Sequence, residues 1–152
     1  MNPRWSPHVT VAAIAVLDGK YLLVQETIDG KTVINQPAGH VEKGETLEQA
    51  VIRETAEETG WGFEPIHISG IYQYVAANGE TYFRFTFFGE LTHHNARASI
   101  DPVIEKIVWM DRAGMSESRL LRSQSVLRCV EDHECGQRYP LNTVLQLIGG
   151  ES

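Results

Sequence analysis

The segment from Thr46 to Gly60 constrains the fold more than any other. Thr46 followed three residues later by Gln49 forms a capping box, and Gly60 supplies a stop, so Leu47 to Thr59 reads as one helix bounded at both ends. What precedes it reads as strands joined by tight turns. Val9 to Leu17 is almost continuously apolar, and Asp18-Gly19 turns it into Lys20 to Gln25. A second pair, Asp29-Gly30, leads toward Thr32 to Asn35. Gln36 to Gly44, with Pro37, Gly39 and Gly44, reads as a loop. After the helix, Ile66 to Val75 and Thr81 to Leu91 flank Asn78-Gly79, a third hairpin signal, and Glu105 to Met110 is a further short strand. Phe83, Phe85 and Phe87 alternate with Arg84, which places the phenylalanines toward the core and Arg84 on the opposite face. Beyond Arg112 the pattern turns helical, through Leu120, Leu121, Val126, Leu127 and Val130 to a stop at Gly136. Strands, a helix, more strands and a last helix define an α/β chain: a mixed sheet with helices on both faces.

Composition narrows the function classes. The 152 residues carry no repeat or linker and are read as one domain spanning residues 1–152, able to bury roughly two-thirds of the unfolded surface. With 42% hydrophobic and 22% charged residues the chain is not a disordered one. A net charge of −7 argues against duplex nucleic acid held by bulk charge, and requires something else to neutralise an anionic ligand. No apolar run spans a bilayer, and no targeting segment is visible, so no membrane partner and a cytoplasmic location are expected. Cys129 and Cys135 have no second pair to complete a zinc site and are expected to be free thiols.

The helix contains a conflict. At 3.6 residues per turn Glu54, Glu57 and Glu58 fall within an arc of about 100°, on the side that also carries Leu47, Ala50 and Val51. Mutually repelling carboxylates beside an apolar stripe admit two readings. One is an exposed acidic face partnered by Arg53. The other is a cluster neutralised by a hard divalent cation, for which all-oxygen ligation selects magnesium or manganese.

Spacing beyond the helix decides between them. Gly39, Glu45, Arg53, Glu54, Glu57, Glu58 and Gly60 fill all seven fixed letters of G-x5-E-x7-R-E-U-x-E-E-x-G-U, where U is bulky aliphatic. At average usage a chance match is on the order of 10⁻⁸ per window. The chain thus resembles the Nudix hydrolase family, with Thr55 and Trp61 departing from the aliphatic U positions, which are packing positions. Pro7 to Ala12, Asn35 to His40, Leu121-Arg122-Ser123 and the tail Gly136 to Leu141 resemble the NudJ-type bacterial phosphatases of that family.

The resemblance implies an α/β/α sandwich around a mixed sheet and magnesium-dependent hydrolysis of a diphosphate linkage. In that subgroup the substrates include nucleoside di- and triphosphates and hydroxymethylpyrimidine diphosphate, a thiamine precursor. Carried over by residue, it implies Glu54 and Glu58 as principal metal ligands, Glu57 as an additional one and the Gly39 carbonyl completing the shell. Glu58 is then the group that orients or deprotonates the attacking water, with Glu105 as the rival base and Arg53 fixing the glutamates. Glu45 supports the loop and helix start. Arg84 is either a phosphate contact or a solvated sheet arginine. Arg138 and Tyr139 either cover the substrate pocket or tether the last helix. His8 and His40 are read as hydrogen-bonding loop or strand residues. Two other functions stay open at this point: an RNA 5′-end or broader nucleotide pyrophosphohydrolase, and a non-catalytic nucleotide sensor.

Overall fold

A computed structural model describes residues 2–149; Met1 and residues 150–152, which the expected domain span includes, lie outside the described residues. Its strands are β1 (His8–Ile14), β2 (Val16–Leu17), β3 (Lys20–Ile28), β4 (Lys31–Asn35), β5 (Ala38–His40), β6 (Trp61–Val75), β7 (Thr81–His94) and β8 (Ile104–Met110). The helices are α1 (Leu47–Thr59), α2 (Arg112–Glu117) and α3 (Gln124–Glu134). The expected mixed sheet is present in the order β5-β1-β7-β6, with β1 and β7 parallel and the other pairs antiparallel. A second, antiparallel sheet joins β2, β3 and β4, with β8 on the other side of β3. Asp18-Gly19 and Asp29-Gly30 turn the chain with positive φ at both residues, 51° and 76° in the first. That backbone twist matches the twist of paired strands.

Helices cover both faces of the mixed sheet. On one face Ala50 and Val51 of α1 pack with Val11, Ala13, Phe63, Ile68, Phe87 and Leu22. On the other, Val126, Cys129 and Val130 of α3 pack with Ile14, Leu23, Ile34 and Met115. Successive residues therefore enter opposite cores: Ala13 and Leu22 the first, Ile14 and Leu23 the second. This is why β1 and β3 read as unbroken apolar runs rather than as alternating strands. Each fully buried aliphatic side chain stabilises the fold by about 1.5–3 kcal/mol. Among the described residues no helix is long and apolar enough to cross a membrane.

Three expectations are corrected. Ala38 to His40, inside the expected loop, pairs antiparallel with Thr10 to Ala12 as a short edge strand. Leu120 and Leu121 are not helical. The Ile34 N–H donates to the Leu120 carbonyl and the Arg122 N–H to the Ile34 carbonyl, so this stretch pairs with the edge of β4 and separates α2 from α3. Arg84 does lie opposite the phenylalanine face, but α3 covers that face too, and the residue is only 4% exposed. The tail tethers the chain after α3: Tyr139 exchanges both backbone hydrogen bonds with Ile68, and the Gln137 side chain donates to the Ser69 carbonyl.

Candidate active site

The cap on α1 is the expected one. Thr46 Oγ1 accepts from the Gln49 N–H at 3.0 Å, Gln49 Oε1 accepts from the Thr46 N–H at 2.9 Å, and Gly60 ends the helix at φ 75°. The departures from the aliphatic pattern are accommodated locally. Thr55 is fully buried and donates to the Val51 carbonyl, while Trp61 stands edge-on to Trp109.

Arg53 ties the helix to the preceding loop. It donates twice to Glu45, from Nε at 2.7 Å and Nη2 at 2.9 Å, a bidentate pair. Nη1 reaches Glu54 at 2.8 Å and Glu57 at 3.1 Å, and Nη2 also donates to the His40 carbonyl at 3.0 Å. The Arg53 hydrogen bonds hold the Glu45 carboxyl below its usual range, and Glu45 in turn accepts from the Glu42 N–H.

Two of the three glutamates face inward. Glu58 is 7% exposed, and its Oε1 accepts from the Ala38 N–H at 2.8 Å. Burial pushes its carboxyl up to about 8; the Ala38 hydrogen bond opposes this, while the charges of Glu54, Glu26 and Asp101 add to it. Burial also raises Glu54, against the pull of Arg53. Glu57 is half exposed and turned to Arg53. Glu26 and Asp101 were not singled out from sequence. Glu26 belongs to the part of β3 beyond Gln25, and Asp101 lies in a polar loop whose N–H donates to the Glu57 carbonyl at 2.8 Å. Nothing local marks either residue, because β3 does not alternate and Asp101 lies in a loop.

These residues fit a divalent cation, and one detail argues for it directly. A Cβ built on Gly39 would lie 2.2 Å from a Glu54 carboxylate oxygen, so only glycine leaves room for that carboxylate against the backbone. The Glu54 carboxylate thus lies against the Gly39 backbone, and carboxylates with a backbone carbonyl are a donor set suited to a hard ion. The three-carboxylate cluster is not preformed, however. Among the described residues no three His, Cys, Asp or Glu side chains are gathered closely enough to hold an ion, because Arg53 draws Glu57 and one oxygen of Glu54 to itself.

Other residues singled out from sequence lie elsewhere. Glu105 falls at the irregularity where Gln25 pairs with Lys106 and Glu26 with Ile104. It is exposed and accepts from Thr27 and Gln25, which hold it below the usual carboxylate range; it makes no contact with the box glutamates. Arg138 is exposed, and its charge acts on His67 and His133 rather than on the glutamates. Arg84 Nη2 donates to Asn35 Oδ1 at 3.3 Å and Gln36 Oε1 at 2.5 Å. His8 and His40 hydrogen-bond to each other at 2.9 Å.

A glutamate-bearing helix, fixed by one arginine against the glycine-containing edge strand of a mixed sheet, defines a class of hydrolases, and the chain belongs to it: the NUDIX domain family matches residues 6–127. The chain is thereby a Nudix hydrolase of phosphate-anhydride substrates. It is similar to phosphatase NudJ of Escherichia coli K12, 39% identical over 140 residues that make up 92% of each chain. A Nudix hydrolase structure from Nitrosomonas europaea superposes with a TM-score of 0.87 at 41% identity, covering 93% of this chain and 98% of that one. A MutT Nudix hydrolase from Burkholderia pseudomallei, at 23% identity and a TM-score of 0.71, shares the fold over 84% of this chain and 98% of its own.

Proposed function

We propose that this chain is a magnesium-dependent hydrolase of small terminal diphosphates, releasing phosphate from nucleoside di- or triphosphates or from hydroxymethylpyrimidine diphosphate. The observation that carries the reading is the pairing of a glycine cradle around Glu54 with a buried Glu58 whose Oε1 accepts from the Ala38 N–H. Glu54, Glu58 and the Gly39 carbonyl would hold the ion, with manganese as an alternative to magnesium, and Glu57 joins them once released from Arg53. When bound, the ion supplies charge neutralisation of the phosphates and acidifies a water. Arg53 positions the carboxylates. Glu58 orients the attacking water and accepts its proton. Glu58 is preferred to Glu105 because Glu105 is engaged by Thr27 and Gln25 and faces solvent. The 39% identity to a phosphatase over nearly the whole chain supports the terminal diphosphate over an RNA end.

The test is hydrolysis in oxygen-labelled water over a panel of diphosphates, with the metal titrated separately by calorimetry. Label in free phosphate is expected; label in the organic monophosphate places attack at the inner phosphorus. Glu58→Gln should weaken calorimetric metal binding and lower turnover by about 10²-fold or more. Undiminished binding and turnover in that variant would refute the assignment.

A further inference from the structure

A buried cation stands where the chain passes from one sheet to the other. Pairing in the second sheet ends at Asn35, opposite Val24, and pairing in the mixed sheet resumes at Ala38, opposite Ala12. Gln36 and Pro37 belong to neither ladder, and Pro37 has no N–H to offer one. The crossing is nonetheless buried, with Asn35 5% and Gln36 2% exposed. Side chains hold it. Arg84 Nη2 donates to Asn35 Oδ1 at 3.3 Å and to Gln36 Oε1 at 2.5 Å, so one guanidinium nitrogen grips two successive residues. Gln36 Nε2 donates in turn to the Val126 carbonyl of α3 at 2.7 Å, which fixes the amide oxygen toward the arginine. The Pro37 carbonyl accepts from the Ala13 N–H at 2.9 Å.

The grip is costly. Arg84 is 4% exposed, and its Nε has no hydrogen-bond partner among the described residues. No carboxylate of those residues lies within ion-pairing distance of it. Arginine does not shed its proton when buried, and a methionine of similar reach would fill the space without that penalty. A charge kept on such terms is explained by what it holds in place, and the held residues lead to the carboxylates. Ala38, two positions after Gln36, donates its N–H to Glu58 Oε1 at 2.8 Å, the single hydrogen bond of the Glu58 side chain among the described residues. Gly39 follows, and the Glu54 carboxylate lies against it so closely that no Cβ would fit. A continuous chain of contacts therefore runs from Arg84 through Gln36 to Ala38 and Glu58.

We propose that Arg84 is a positioning residue for the carboxylate site. By pinning Asn35 and Gln36 it sets where the Ala38 N–H and the Gly39 backbone stand, and so how Glu58 and Glu54 are presented to the metal. It acts through those residues and touches neither metal nor substrate. The inference rests on the reading of the glutamate site as a metal-dependent hydrolase, and adds to that site a residue from the opposite face of the mixed sheet.

Two variants test it from the two ends of the link. Arg84→Met removes the grip and keeps the reach of the side chain; Gln36→Met removes the gripped amide and keeps its volume. Either one suffices if the other fails to fold. In the metal-free protein, hydrogen exchange followed by NMR should be about tenfold or more faster at the Ala38 amide in each variant. The Gln49 amide, bonded to Thr46 in the cap of α1, should exchange as in the wild type, which a general loosening of the fold would not allow. Calorimetric magnesium affinity should fall by about tenfold or more. In Arg84→Met, turnover of uridine diphosphate and of methyl diphosphate should fall by one common factor. A loss confined to uridine diphosphate would make Arg84 a substrate contact and overturn the inference. Ala38 exchange or magnesium affinity at the wild-type value in a folded variant also overturns it. A wild type that neither binds magnesium nor turns over any diphosphate, with Ala38 exchange still governed by Arg84, would refute the hydrolase reading alone.

Discussion

Replacing Glu58 by glutamine should make the metal-free protein more stable, and only above acidic pH. The amide that replaces the carboxylate keeps its shape and can still accept from the Ala38 N–H, but has no charge to bury. In the folded protein the Glu58 carboxyl is raised from 4.5 to about 8, mainly by desolvation. A raised acid contributes stability that is complete below its unfolded value and is lost as pH rises through the folded one. Between 4.5 and about 8 the wild type should therefore lose about 1.4 kcal/mol per pH unit relative to the variant, roughly 5 kcal/mol at most. Relaxation and water entry reduce such penalties. A third of that amount would still shift Tm by about 3–6 °C in a chain of this size. The assay is thermal unfolding by circular dichroism with chelator, from about pH 4 to about pH 9. The two proteins should melt together at the acid end and separate steadily above it. Magnesium should reverse the order at high pH, because binding stabilises more the protein that holds the ion more tightly. Parallel Tm curves across the whole pH range would refute the claim that Glu58 is a destabilised, buried carboxyl.

Gly39→Ala places a Cβ 2.2 Å from a Glu54 oxygen, so Glu54 must leave its position; turnover should fall by about 10²-fold and calorimetric metal affinity should weaken, with the far-UV spectrum unchanged. Thr46→Ala removes the side-chain acceptor for the Gln49 N–H, leaving the backbone half of the capping box, and should cost about 1 kcal/mol in denaturant unfolding, with m unchanged. Cys129 is buried and Cys135 exposed, both free, so thiol titration should find one fast group in the native protein and a second only on unfolding. A slow or absent first group would contradict the placement of Cys135 beyond the end of α3.

What was legible in the sequence was local. The capping box, the Gly60 stop and the Asp-Gly turns are each decided by a few adjacent residues, and each lies where the spacing put it. The resemblance gave Arg53 as fixing the helix glutamates and Glu45 as supporting the loop; the structure has Arg53 bonded to Glu54 and Glu57 and joins it to Glu45 as well. What was not legible depends on pairing between distant segments. Ala38 to His40 becomes a strand only because Thr10 to Ala12 offers an open edge, and Leu121 leaves the helical pattern because Ile34 does the same. Arg84 alternated as expected, but its burial follows from α3, more than 30 residues later in the chain, covering that face. Glu26 and Asp101 act on Glu58 from a strand and a loop that no spacing rule connects to the helix.

The division of β1 and β3 between two cores has a consequence for how the chain tolerates changes in length. Ala13 and Leu22 serve the α1 side, and Ile14 and Leu23 the α3 side. Deleting or inserting one residue in either strand would exchange the two sets, sending each side chain into a space shaped for the other. Both helices would lose their footing at once, and with α1 the carboxylates. Asn78 and Gly79, by contrast, form an exposed tip whose residues belong to neither core. A library of random single-codon insertions should therefore survive at that tip and die throughout β1 and β3, so that a tag or a reporter can be threaded into this molecule at one hairpin without disturbing either layer.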